Sequence, residues 1–112
     1  MSPLEEIMLK LNQFVLIRNE NRFRILATIY NHNIYHNTKG QLEIKDLQKI
    51  VKLNDKDLKY HLNLLVIGEM VTINKRKKTC DITKMGEELL QQVGITEKVV
   101  REGIKKIEKE KK

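Results

Sequence analysis

Apolar positions at the start of the chain recur at helical spacing. Leu4, Ile7, Met8, Leu11 and Val15 form one stripe, and Leu9, Leu16 and Ile17 widen it beyond what a single core contact needs. Ser2 is a candidate N-cap, Pro3 suits the first helical position, and Glu5 and Glu6 favour the first turn, so a first helix is expected within 1–18. Asn19 or Asn21 can cap a second helix, "ENRFRILATIYNH", with Phe23, Leu26, Ala27 and Tyr30 turned inward. The polar stretch "NHNIYHNTKGQ" has no apolar period and reads as the frayed end of that helix plus a loop ending at Gly40.

The next stretch carries two amphipathic patterns in close succession. Ile44, Leu47, Ile50 and Val51 mark a short helix, Lys52 and Leu53 a tight turn, and Asn54 a cap. Leu58, His61, Leu62 and Leu65 then mark the buried side of a helix over 54–67 that stops at Gly68. Two helices joined this tightly point to a helix-turn-helix, whose second helix would enter the DNA major groove. Its exposed face would carry Asp55, Lys56, Lys59, Tyr60 and Asn63. Val71–Asn74 and Thr79–Ile82 alternate as strands around Lys75, Arg76, Lys77 and Lys78, so a hairpin with a basic tip, a wing, follows directly. Thr83 caps "KMGEELLQQV", which closes at Gly94 with Ile95 placed for a Schellman contact. A last helix, Glu97 to Lys112, is capped by Thr96. It carries eleven charged residues of sixteen and a narrow stripe of Val99, Val100, Ile104 and Ile107.

Composition narrows the class. The 112 residues suit one domain, and 4% aromatics with no Trp and one Pro disfavour an all-β sandwich, leaving a mostly α chain with a small β-hairpin, an α+β fold. The formal net charge of +7 attracts polyanions. Up to Asn74 ten Lys and Arg oppose eight Asp and Glu, and from Lys75 onward twelve oppose seven, so five of the seven net charges lie in the last third. A lone cysteine, Cys80, allows no intrachain disulfide and reads as a small buried hydrophobe beside Ile82. With no apolar run suited to a signal segment or a membrane span, a cytoplasmic protein without a membrane partner is expected.

These elements resemble the winged helix-turn-helix transcriptional regulators of the ArsR and MarR kind, especially the small archaeal ones. The likeness covers residues 19–92 and adds an N-terminal and a C-terminal helix to that core. "NENRFRIL" is similar to the family's helix opening, "LNDKDLKYHLNLLVIGEMV" to its recognition helix, and "CDITKMGEELL" to the Leu-Thr-x-x-Gly stretch after the wing, with Ile82 in place of the Leu. The resemblance implies that Lys56, Lys59, Tyr60 and Asn63 face the major groove of double-stranded DNA while the tip, Lys75–Lys78, meets the backbone or minor groove. Two departures stand out. "IKDLQKIVKL" lacks the Cys-x-Cys of the metal-sensing members, and Asp55 and Asp57 are unusual in a helix aimed at phosphates. Stabilisation of the helix dipole accounts for those acids more simply than selection of a cytosine amino group.

His32 and His36 would face one another if their helix ran on, but they fall in an Asn-rich stretch with no third ligand, so solvated loop histidines and no metal are expected. No nucleophile-base spacing, glycine-rich phosphate loop or H-E-x-x-H occurs, so neither an enzyme nor a cofactor is expected, and no effector can be named. The final helix needs a partner, since about fifteen residues is marginal for an isolated helix. The first helix is its candidate partner, within the chain or across a two-fold axis. The expected homodimer combines Leu4, Ile7, Met8 and Leu11 with Val99, Ile104 and Ile107. Two other readings stand beside sequence-specific regulation: a winged-helix module for protein contact, and a non-specific chromatin-type DNA binder. The wing's charge favours DNA.

Overall fold

Of the six helices within residues 1–110, five start on the capping side chain that the sequence supplies. The oxygen of Ser2, Asn19, Asn54, Thr83 or Thr96 accepts a hydrogen bond from the backbone N–H three residues on, at 3.2, 3.2, 2.8, 3.0 and 3.3 Å respectively. The structure, a computed structural model, describes residues 1–110. The helices are α1 (Pro3–Ile17), α2 (Glu20–His36), α3 (Ile44–Val51), α4 (Asp55–Ile67), α5 (Lys84–Gln92) and α6 (Glu97–Glu110), and the strands are β1 (Leu42–Glu43), β2 (Val71–Asn74) and β3 (Thr79–Ile82). The expected end of the last helix, Lys111 and Lys112, lies outside the described residues. The fold is thus mostly helical with a small antiparallel sheet, of order β1-β3-β2.

The helix α2 is the central post, in contact with every other helix and with β1 and β3. Its inward face differs from the expected one. Ile25, Leu26 and Ile29 are fully buried and Tyr30 nearly so, whereas Phe23 and Ala27 are only partly covered. It also runs on to His36, through the stretch expected to be loop, and ends on Asn37 in the left-handed conformation. A part-buried polar contact ties this stretch to β3. The Asn33 amide donates to Asp81 Oδ1 on β3 at 2.7 Å, and the same oxygen accepts from the Ile82 N–H at 2.9 Å. Asn33 therefore occupies a core-facing position that composition would assign to an apolar residue.

Around α2 gather Leu47 and Val51 of α3, Leu58, Leu62 and Leu65 of α4, Met70 and Val71, Cys80 and Ile82 of the hairpin, and Leu89 and Leu90 of α5. Ile50, expected inside, is exposed, because the buried side of the short α3 is satisfied by Leu47 and Val51. Cys80 is buried as expected. Its Sγ donates to the Leu42 carbonyl at 3.7 Å, and burial, then the neighbouring Asp81, push the thiol up to about 12. At that value it is inert as a thiolate nucleophile.

Two junctions lock the hairpin to the helices. Thr83 caps α5 while its hydroxyl donates to the Glu69 carbonyl at 2.7 Å, and a Cβ at Gly86 would sit 2.7 Å from the Met70 carbonyl oxygen. Only glycine fits where α5 meets the entry to β2. The Schellman end of α5 is formed as expected, with the Gly94 N–H donating to Gln91 O at 3.0 Å and Ile95 N–H to Leu90 O at 2.8 Å. The main partner of α6 within the chain is α2, not α1.

Candidate nucleic-acid interface

Hydrogen bonds bridge α3, the turn and the start of α4. Lys52 adopts the left-handed conformation that ends α3, with its N–H on Gln48 O at 2.9 Å. The Gln48 amide reaches forward to Leu53 O at 3.1 Å and Asp55 Oδ1 at 2.8 Å. Asn54 closes a ring with Asp57, accepting from its N–H and donating to its carboxylate at 3.1 Å. Both acids of the first turn are therefore engaged in side-chain hydrogen bonds at the start of α4.

The expected buried side of α4, Leu58, His61, Leu62 and Leu65, is the observed one. His61 is tied to the corner between α1 and α2. Arg22 donates through Nε to Leu16 O at 2.6 Å and through a terminal nitrogen to His61 Nδ1 at 3.2 Å. A guanidinium can only donate, so Nδ1 accepts and the imidazole is neutral with its proton on Nε2. Burial, then the charge of Arg22, holds the His61 pKa below its ordinary value, with Asp57 opposing. Nothing in the sequence marks Arg22 for this role, since an arginine three residues after a cap is common to many helices.

The opposite side of α4 presents Lys56, Lys59, Tyr60 and Asn63, all exposed and spaced so as to share one face. Tyr60 is 59% exposed, so its ring and hydroxyl are open to a partner. Beside this face lie two exposed residues that periodicity does not single out, Ile67 at the end of α4 and Lys52 in the turn.

From α4 the chain enters the hairpin through Gly68–Met70, and β2 packs on α4. The strands pair in the register Val71↔Ile82 to Asn74↔Thr79. The Asn74 side chain accepts from Lys77 N–H at 3.1 Å, and Lys78 takes the left-handed conformation that closes the turn. The strand β1 adds to the expected hairpin, and at two residues it is too short to show in the sequence pattern. It pairs Leu42 with Cys80 and Glu43 with Thr79, and the Ile44 N–H at the start of α3 donates to Lys78 O at 3.0 Å. The basic tip is thus anchored to the first helix of the α3–α4 unit. Lys75, Arg76, Lys77 and Lys78 are all exposed, and among the described residues none of them makes an ion pair.

The residues expected at a subunit interface are only partly gathered. Leu4, Ile7, Met8 and Leu11 form an exposed face of α1, and Val99 and Ile107 are exposed on α6. Ile104 instead lies half-buried in a groove of about 510 Å³ between α2 and α6. Within the chain the two stripes are not each other's partners, because α6 is seated on α2. No helix among the described residues is long and apolar enough to cross a membrane. Comparison with family models, curated proteins and solved structures gave no match.

Proposed function

We propose that the chain is a winged helix-turn-helix protein that binds double-stranded DNA in a sequence-specific manner and regulates transcription. In this reading α4 is the recognition helix and the β2–β3 hairpin is the wing. The observation that carries it is the basic tip: four adjacent, exposed cations without ion-pair partners among the described residues, on a hairpin tied by the Ile44–Lys78 hydrogen bond to the helix pair. Four adjacent like charges make a concentrated positive field that attracts a polyanion such as the phosphate backbone.

Lys56, Lys59, Tyr60 and Asn63 project from a helix fixed at its start by Gln48 and Asn54 and at its middle by Arg22, which suits base reading. The flexible, mostly Lys tip suits phosphates. The exposed apolar face of α1 supports a homodimer, and a two-fold arrangement would place half-sites about 34 Å apart. Selection from randomised duplexes, followed by sequencing of the bound pool, tests the reading. An inverted repeat is expected. A pool without sequence preference would favour an architectural binder, and no enrichment of DNA would favour a module for protein contact.

A further inference from the structure

The continuation of α2 through residues 31–36 changes the standing of its two histidines. On a helix, residues four apart lie one above the other, and the rings of His32 and His36 have centroids 4.4 Å apart. They stand side by side at the edge of the groove between α2 and α6. His32 is half-buried, with a buried Nδ1 that has no hydrogen-bond partner, and His36 is exposed. Two imidazoles presented from successive turns of one helix are close enough to reach a common ion without a change in the backbone.

We infer that His32 and His36 form a two-imidazole clip for a divalent first-row transition-metal ion. Neutral imidazole suits Zn²⁺ and Cu²⁺, whereas Mg²⁺ and Ca²⁺ prefer oxygen donors, so the site discriminates by ligand chemistry. Among the described residues no set of three or more His, Cys, Asp or Glu converges on one point, so water completes the coordination and the site stays open. The clip lies apart from α4 and the hairpin tip, and its test requires no DNA.

The test uses the full chain with no affinity tag, titrated with ZnCl₂ and separately with CuSO₄, with imidazole nitrogens followed by NMR. One ion per chain is expected. With Zn²⁺, His32 and His36 resonances should shift while His61, occupied by Arg22, does not. His36→Ala, at an exposed position that leaves the core intact, should weaken Zn²⁺ binding at least tenfold, and Cu²⁺ should bind more tightly than Zn²⁺. MgCl₂ should shift none of these resonances. The inference is overturned if His32 and His36 stay unmoved by Zn²⁺, if Mg²⁺ moves them equally, or if His36→Ala binds Zn²⁺ as the wild type does.

Discussion

The side-chain amide of Gln13 donates to the backbone carbonyl of Gly68 at 2.8 Å, and the contact is buried. It joins α1, whose other face is apolar and exposed, to the residue that ends α4. Gln13→Ala would leave the Gly68 carbonyl buried without a partner, so a stability loss of about 1–3 kcal/mol is expected in denaturant unfolding. An unchanged midpoint would show that water replaces the bond.

Close approach at two glycines predicts an order of effects. A Cβ at Gly68 would meet Leu16 Cδ1 at 2.7 Å, the movable end of a side chain, whereas one at Gly86 would meet the Met70 carbonyl oxygen at the same distance. Backbone cannot yield as a leucine methyl can. Gly86→Ala should therefore destabilise by about 1–3 kcal/mol despite the better helix propensity of Ala, and Gly68→Ala by less. Thermal melts of the two variants check the order, and the reverse ranking would contradict the packing described.

Caps and alternation make most of this fold legible in the sequence. Ser2, Asn19, Asn54, Thr83 and Thr96 are local signals, and each side chain does at its helix start what its type favours. The buried side of α4 and the hairpin around Lys75–Lys78 follow from period alone, and with them the candidate recognition face. What stays hidden depends on distant partners. Asn33 has the character of a loop residue, and only Asp81, far along the chain, gives it a place in the core. Strand β1 is too short for alternation to register, and its place is set by β3. The seat of α6 on α2 rather than α1 is equally hidden, because an apolar stripe says that a helix needs cover without saying which surface supplies it.

Acid should weaken the joint between α4 and the α1–α2 corner. His61 has its pKa lowered by burial and by Arg22, so the folded state resists protonation that the unfolded chain accepts near 6.5. The stability contributed by the neutral ring is fully present above the unfolded value and is lost progressively as pH falls from there through the lowered folded value. Unfolding midpoints from about pH 7.5 to 5 should fall over that window. In His61→Gln, which cannot titrate, the share due to this group should be absent; an identical pH dependence would rule His61 out as its source.

The proposed dimer predicts a concentration-dependent mass. Sedimentation at micromolar concentration should give two chains. Met8→Lys with Leu11→Lys, at exposed positions of α1, should give a folded monomer with weaker binding to an inverted repeat. A wild-type monomer that binds DNA with full affinity would remove the dimer.

Replacing single side chains on α4 should alter sequence preference. Tyr60→Ala or Asn63→Ala should lose about 1–3 kcal/mol at one or two base positions, with little change in salt dependence. Equal weakening on a selected site and a scrambled duplex would assign these residues to general contact.

The proposed division of labour between helix and wing is tested most directly by the salt dependence of binding when Lys75, Arg76, Lys77 and Lys78 are all changed to Ala. Each phosphate that the wing no longer neutralises should flatten the slope of log K against log salt by about 0.9, because fewer condensed counterions are released. If the wing supplies affinity and the helix supplies discrimination, this variant binds a selected site and a scrambled duplex more weakly alike, with a shallower slope and an unchanged ratio between the two. An unchanged slope, or a loss of discrimination in this variant, would contradict that division.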